Sequence, residues 1–209
     1  MSNELLSKSL RNARLLGAVA LLGAGLLASI NYWARPQVEL NRAEALRAQL
    51  AELVPAQIFD QPLDTGEALI AAPALGPGMH RLYRARLNDL VTAVLVTVVA
   101  TDGYNGNIRL LMAVDGDGVI LGVRVLEHSE TPGLGDAIEK RKSDWVLGFD
   151  GRSLQSPQAA DWAVRKDGGQ FDQITAATIT PRAVVGAVKR GLEYIQANRA
   201  DLFETQHDE

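Results

Sequence analysis

A short segment rich in small and hydroxyl-bearing residues could bind a phosphate group or form an ester with one. Residues 172–178 read DQITAAT and lead into the last predicted helix, with Asp172 as the first residue. The first backbone N–H groups of a helix lack partners and the helix dipole is positive there, so this end favours a phosphate. Ala176 and Ala177 leave a ligand room to approach. The hydroxyls of Thr175 and Thr178 can hydrogen-bond or be esterified. An ordinary cap and turn explains the same residues, and taken alone the segment favours that simpler interpretation.

A second segment could lie against a flat ring. It follows a predicted strand, precedes a predicted helix and consists of Glu130, Thr131, Pro132, Gly133, Leu134 and Gly135. Its glycines let the loop present backbone N–H groups and approach a planar ligand, although a plain strand-to-helix loop has the same composition. His128 and Glu130 could form an acid–base pair or bind a metal, but no third ligand lies near them in sequence, so both uses are disfavoured. A third segment, residues 103–107, lies between two predicted strands and offers Tyr104 as a candidate cofactor contact.

The composition excludes several kinds of chemistry. The 209 residues include no cysteine, which removes thiolate zinc sites, iron–sulfur clusters, thiol catalysis and disulfides. His80, His128 and His207 are scattered, which argues against a haem or a histidine-rich metal centre. The net charge is -4, and no block of lysine and arginine marks a face that binds nucleic acid. The length is enough for one well-buried domain, and a hydrophobic share of 47% argues against a disordered chain.

The N-terminal region predicts a membrane anchor. Residues 15–33 form a run of 19 without a charge, which as a helix covers roughly 28 Å, close to the hydrocarbon thickness of a bilayer. Tyr32 and Trp33 end the run, where aromatic rings favour the headgroup level. Basic residues precede it, so the positive-inside rule places the N-terminus in the cytoplasm and the rest of the chain outside. A cleaved signal peptide shows the same order of charge and apolar run, but the length of the run and the lack of a clean cleavage site favour a retained anchor.

The remaining pattern predicts an α+β fold with a mostly antiparallel sheet and helices packed on it. Candidate strands lie at residues 81–87, 90–100, 107–115 and 119–128, with a hairpin turn at 116–118 and a shorter strand at 162–165. Helices are predicted at residues 41–54, 136–149 and about 181–198, the last with Thr180 as N-cap and Pro181 as its first residue. Residues 55–79 hold four of the eight prolines and predict an irregular connector.

These elements predict five consecutive regions. The predicted regions are a cytoplasmic tail at 1–14, a transmembrane helix at 15–34, a helix and proline-containing linker at 35–80, a globular domain at 81–200 and a C-terminal tail at 201–209.

The two loop motifs together resemble a known family. The motif E-T-P-G-L-G, followed about forty residues later by D-x-x-T-x-A-T, is similar to the FMN-binding domain of respiratory flavoproteins. The arrangement resembles the G subunit of the Rnf ion-translocating electron-transport complex. A close relative is the C subunit of the sodium-pumping NADH:quinone oxidoreductase, which is generally longer. The resemblance covers the whole chain, since both motifs stand in the expected order behind one predicted membrane helix.

The resemblance implies a covalent cofactor. In this family the last threonine of the second motif, here Thr178, carries FMN as a phosphoester. A periplasmic flavin transferase, which uses FAD and magnesium, attaches it. Asp172 and Thr175 match residues that the transferase reads, and residues 130–135 match the loop that contacts the isoalloxazine ring. The family usually has glycine at the position of Ala176, and alanine is tolerable there if its backbone φ angle is negative.

The implied function is electron transfer rather than turnover of a substrate by this chain alone. The resemblance implies an inner-membrane subunit that relays electrons through FMN. The whole complex is expected to couple electron flow between ferredoxin and NAD to sodium or proton movement. Expected partners are other membrane subunits with flavin and iron–sulfur centres, the flavin transferase and the lipid bilayer. Two alternatives stay open: the C subunit of the sodium-pumping oxidoreductase, and an anchored periplasmic binding or assembly module without covalent flavin.

Overall fold

The chain divides into two compact units, Met1–Leu46 and Arg47–Glu209. The computed structural model describes residues 46–204, together with 16–17, 20–26, 29, 32–33 and 44. The described residues between 16 and 33 are helical, whereas the rest of the predicted span 15–34 and the whole predicted tail 1–14 lie outside the described residues. Within the described part of the chain, no helix is both long enough and apolar enough to cross a membrane.

The second unit is built on a five-stranded antiparallel sheet in which each strand pairs with its neighbour in sequence. The strands are β1 (Ala68–Ile70), β2 (His80–Leu87), β3 (Leu90–Gly103), β4 (Gly106–Asp115) and β5 (Ile120–Glu127). The helices are α1 (Ile179–Ala197) and α2 (Arg199–Phe203), and residues 46–53 are also helical. The α+β class and the four longer strands are therefore confirmed. Both faces of β3 are buried from Ala93 to Ala100, which explains why this stretch is apolar apart from Thr97.

Helix α1 packs on one face of the sheet. Its apolar side, which includes Val184 and Val188, is buried in one cluster with alternate residues of β3 and β4. Gly191 allows a close approach, because a Cβ atom there would lie 2.4 Å from the sulfur of Met112. The helix therefore holds a fixed position over the centre of the sheet, and its first turn is fixed with it.

The opposite face of the sheet is buried as well. Leu95 and Leu111 point to this face and are fully buried, because successive side chains of a strand alternate between faces. The helical residues 47–53 lie against it, and the Cδ2 atom of Leu53 is 2.7 Å from where a Cβ on Gly122 would stand. The chain that follows the first unit is thus part of the core of the second.

The predicted turn at residues 116–118 is confirmed. The N–H of Gly118 donates to the carbonyl oxygen of Asp115 over 3.1 Å. The Asp115 carboxylate accepts the N–H groups of Asp117 and Val119, both at 2.9 Å. These bonds close the hairpin between β4 and β5.

The prediction of one continuous helix at residues 136–149 is wrong. The structure has two short 3-10 helices instead, Gly135–Ile138 and Asp144–Phe149. Ser143 separates them, since its hydroxyl donates to the carbonyl oxygen of Ala137 and caps the second helix. A local side-chain bond of this kind competes with helix continuation.

Two further local predictions are wrong. The strand predicted at 162–165 is reduced to one isolated bridge between Val164 and Phe171. Gly168, in the left-handed region with φ of 86°, turns the chain before a ladder can grow. The connector predicted at 55–79 also contains β1, whose residues pair with β2 at the edge of the sheet.

Candidate functional site

The three segments that the sequence singles out meet at one cavity of about 320 Å³. Tyr104, in the turn between β3 and β4, lies on one wall. Four residues of the 130–135 loop form the second wall, from which Pro132 and Gly133 are absent. Residues 176–180 form the third wall. The volume falls in the range of roughly 300–1,000 Å³ that is usual for sites of small molecules and cofactors.

Glu130 is a buried carboxylate in this cavity, with 4% of its surface exposed. Its Oε2 accepts a hydrogen bond of 2.5 Å from the hydroxyl of Thr180, and its Oε1 accepts one of 3.1 Å from the N–H of Asn105. Two glycines make room for it: a Cβ at Gly135 would lie 2.6 Å from Oε2, and one at Gly103 would lie 2.9 Å from Oε1. The carboxylate thus connects all three walls.

The rest of the 130–135 loop is held by its own hydrogen bonds. Gly133 has a φ angle of 78°, and its N–H donates to the Asp136 carboxylate over 2.8 Å. Lys142 forms an ion pair with the same carboxylate over 3.3 Å. On the other side, the Asn105 amide donates to the hydroxyl of Thr131 over 3.2 Å. The loop therefore has a defined shape as part of the folded chain.

The acceptor loop, residues 172–178, ends directly at α1. The N–H of Ala177 donates to the carbonyl oxygen of Ile174 over 3.1 Å, which closes a tight turn. Thr178 then occupies the N-cap position, but its hydroxyl makes no capping bond and its side chain is exposed. The unpaired N–H groups at the start of the helix therefore lie beside the Thr178 hydroxyl, which does not cap them.

The start of α1 corrects the prediction of Thr180 as N-cap. The helix begins two residues earlier than predicted, at Ile179, and Pro181 is its third residue. Thr180 is 1% exposed and its hydroxyl is bonded to Glu130. Ile179 and Thr180 both line the cavity, although the sequence had not indicated either as a site residue. Their only signal was that they directly follow the acceptor motif.

Ala176 does not meet the condition under which alanine is well tolerated. Its φ angle is 63°, in the left-handed region, rather than negative. For a residue with a Cβ atom that conformation costs about 1–2 kcal/mol, whereas glycine adopts it freely. The tight turn of the acceptor loop therefore imposes a local strain at this residue.

Asp172 and Thr175 lie outside the cavity lining and are exposed. The Asp172 carboxylate forms an ion pair with Arg165 over 3.1 Å. Its backbone carbonyl oxygen accepts a hydrogen bond from the indole of Trp145. These two members of the motif thus present side chains to solvent, while residues 176–178 line the cavity.

His128 has a structural role beside the site. Its Nδ1 accepts the N–H of Glu130 at 3.0 Å, and its Nε2 donates to the Glu139 carboxylate at 3.1 Å. Arg141, and secondarily His128, hold the pKa of the Glu139 carboxyl below its usual value. Among the described residues, no three histidine, aspartate or glutamate side chains are grouped so that they could hold a metal ion. His128 therefore supports the backbone of the loop rather than pairing with the Glu130 carboxylate.

Comparison with known proteins agrees with this geometry. Residues 103–193 match the family model of the FMN-binding domain, and residues 1–53 match that of the RnfG N-terminal region. The sheet, the cavity and its loops therefore define an FMN-binding domain.

Relatives that match most of the chain identify a particular family of proteins that contain this domain. The chain is 49% identical to the G subunit of the ion-translocating oxidoreductase complex of Pseudomonas aeruginosa (strain UCBPP-PA14) over 196 residues, 93% of this chain and 92% of that protein. It is 45% identical to the G subunit of the complex of the same name from Escherichia coli (strain K12) over 180 residues, 86% of this chain and 87% of that protein. This chain belongs to the family of G subunits of ion-translocating oxidoreductase complexes, and the resemblance inferred from the two motifs is confirmed.

Proposed function

We propose that this chain is an electron-transfer subunit of an ion-translocating oxidoreductase complex and that it carries FMN as a phosphoester on Thr178. The placement of the three threonine hydroxyls within residues 172–180 carries the proposal. Thr178 is exposed and lines the cavity. Thr175 is exposed but lies outside the lining, and Thr180 is buried with its hydroxyl bonded to Glu130. Of these three, Thr178 alone combines a reachable oxygen with a place in the cavity.

The surroundings of Thr178 suit a phosphate. Helix α1 has 19 residues and begins directly after this threonine, so its first N–H groups and its positive dipole end face the attachment site. Glu130, Thr131, Leu134 and Gly135, together with Tyr104, supply the walls on which a flat ring would be held. Bound FMN supplies the chemistry of accepting and donating electrons, and the protein supplies position and environment.

The attachment requires a separate enzyme. A flavin transferase that uses FAD and magnesium would join the Thr178 oxygen to the FMN phosphorus and break the pyrophosphate bond, so that AMP leaves and the hydroxyl proton passes to a base. Asp172 and Thr175 are the residues that such an enzyme would recognise, and both are exposed. A covalent bond keeps the cofactor from diffusing away in an open compartment.

The proposed location follows from the N-terminal sequence. Residues 15–34 form a single membrane anchor, residues 35–80 connect it, and the FMN-binding domain at 81–200 lies in the periplasm. Neighbouring membrane, flavin and iron–sulfur subunits would deliver and accept the electrons. The complex would couple transfer between ferredoxin and NAD to movement of sodium ions or protons.

A mass measurement tests the attachment. The full chain is produced in membranes together with a flavin transferase, and the peptide that contains Thr178 is weighed. We expect a mass increase of one FMN less water, and an ultraviolet-fluorescent band after denaturing electrophoresis. Thr178→Ala removes both signals, whereas Thr180→Ala retains the adduct on Thr178. A wild-type peptide without the adduct would overturn the proposal in favour of an anchored binding module.

A reporter fusion tests the location separately. A phosphatase fused after Glu209 is expected to be active, since this enzyme folds only outside the cytoplasm. A silent phosphatase fusion together with an active cytoplasmic reporter at the same position would contradict the proposed topology.

A further inference from the structure

We propose that Glu130 is a positioning residue that ties the three walls of the cavity together, and that Thr180 is the residue through which it fixes Thr178. The inference rests on the proposed attachment of FMN to Thr178. It goes beyond that attachment because it assigns a role to two side chains that need not form any bond to the cofactor.

The hydrogen bonds of Glu130 reach every wall. Its own backbone belongs to the 130–135 loop, its Oε1 is bonded to Asn105 next to Tyr104, and its Oε2 is bonded to Thr180 on α1. These three positions come from distant parts of the chain, and Glu130 is 50 residues from Thr180 in sequence. A single carboxylate thus joins the start of α1 to two loops that lie at the same end of the paired strands β4 and β5.

Thr180 transmits this connection to the attachment residue. Thr178 has φ of -84° and ψ of -25°, which is helical geometry, and α1 continues from the next residue. Thr178 and Thr180 therefore belong to one continuous helical turn. When the hydroxyl of Thr180 is held 2.5 Å from Glu130, the position of Thr178 relative to the 130–135 loop is held too.

The energetics favour a role beyond filling space. A carboxylate that is 4% exposed carries a large desolvation cost, and an apolar side chain would pack the same volume more cheaply. Two glycines keep space for its oxygens. Because hydrogen bonds to charged groups are strong and directional, this arrangement fixes geometry that packing alone leaves adjustable.

Removal of one hydroxyl tests the proposal. Thr180→Val keeps the side-chain shape and loses the donor, and Thr180→Ser keeps the donor. Each full-length chain is purified in detergent after co-production with the flavin transferase. Three quantities are measured: the mass of the Thr178 peptide, the quenching of flavin fluorescence by acrylamide, and the midpoint potential of the flavin.

We expect Thr180→Val to carry the adduct on Thr178 but to hold the ring less tightly. Loss of this hydrogen bond should raise the acrylamide quenching constant about fivefold and shift the midpoint potential. Thr180→Ser should match the wild type in both readouts, which a general loss of stability would not explain. If the valine variant does not fold, Thr180→Ala is measured with the same expectation.

The experiment distinguishes failure of the positioning role from failure of the proposed FMN attachment. A valine or alanine variant that carries the adduct with unchanged quenching and potential overturns the positioning role and leaves the proposed attachment standing. A wild-type chain without the adduct overturns the attachment, and the positioning role with it.

Discussion

The indole N–H of Trp145 donates a hydrogen bond of 2.8 Å to the backbone carbonyl oxygen of Asp172. Trp145 also meets Phe149 edge to face, with ring centroids 5.5 Å apart. Phe149 is fully buried, stacks with Trp162 and packs against Phe171 in a tilted arrangement. The first residue of the acceptor loop is therefore attached to the aromatic part of the core, which defines where the loop begins.

Replacement of Trp145 by phenylalanine should release this attachment. The variant keeps an aromatic ring and loses the N–H, so we expect the unfolding free energy to fall by about 1 kcal/mol. The initial rate of flavin attachment, followed by the mass of the Thr178 peptide, should fall about fivefold because the loop is less well presented. Trp162→Phe is the matched control. Its indole N–H donates to the carbonyl oxygens of Ser153 and Pro157, which lie outside the acceptor loop, so a similar fall in attachment rate would contradict the interpretation.

Glycine at position 176 should relieve strain. Ala176 has a φ angle of 63°, so Ala176→Gly is expected to raise the unfolding free energy by up to about 1 kcal/mol after the entropy of the unfolded glycine is subtracted. Ala177 is the matched control: its φ is not positive, so Ala177→Gly should lower the unfolding free energy by about 0.5–1 kcal/mol. Chemical denaturation of both variants measures the difference, and equal signs would refute the strain.

Two glycines of α1 should respond to alanine in opposite directions. A Cβ at Gly191 would lie 2.4 Å from the Met112 sulfur, so Gly191→Ala should cost about 1–3 kcal/mol through overpacking. At Gly186 the nearest atom is 3.5 Å away, at the end of the flexible Arg190 side chain. Gly186→Ala should therefore stabilise the helix by up to about 1 kcal/mol. Thermal unfolding of the two variants and the wild type measures both changes in stability. A stabilising Gly191→Ala would show that α1 lies farther from the sheet.

Glu139 should contribute to stability only above acid pH. Arg141 and His128 lower the pKa of this carboxyl in the folded chain below its ordinary value of 4.5. A carboxyl with a lowered folded pKa gives stability that is complete above the unfolded pKa and is lost as the pH falls through the folded pKa. Unfolding free energies between pH 7 and pH 3 should therefore fall less steeply below 4.5 for Glu139→Gln than for the wild type. Arg141→Gln removes the larger cause and should reduce the acid slope in the same direction; unchanged slopes in both variants would exclude the contribution.

The long strands and the loop motifs were predictable because their signals are local. The run at 90–100 is rich in β-branched and apolar residues, and the turn at 116–118 is specified by adjacent residues. The convergence of residues 104, 130–135 and 176–180 was only implied by the family resemblance. Nothing in the spacing of those residues states that they meet, since the docking of α1 on the sheet, which brings residues 176–180 to the other two segments, is not encoded locally.

The errors share a physical cause. Ser143 interrupts the predicted helix because its hydroxyl donates to the carbonyl oxygen of Ala137. The periodic spacing of apolar residues, from which the helix was predicted, contains no signal for such a bond. Threonine is a residue type that often caps helices, but the hydroxyl of Thr180 donates instead to Glu130, a partner 50 residues away. At Ala176 the sequence indicated no sign for φ, and the turn that closes before α1 makes it positive. In each case a hydrogen bond or turn specific to the folded chain overrides a local preference.

The sequential order of the sheet has a consequence for assembly of the site. Because every strand pairs with the strand before it, the whole sheet can form once the chain has emerged as far as Glu127. The third cavity wall, residues 176–180, comes about fifty residues later and takes its place only when α1 docks. Any modification that needs the complete cavity would therefore mark only those molecules whose folding has reached the last helix, and would act as a check on finished domains.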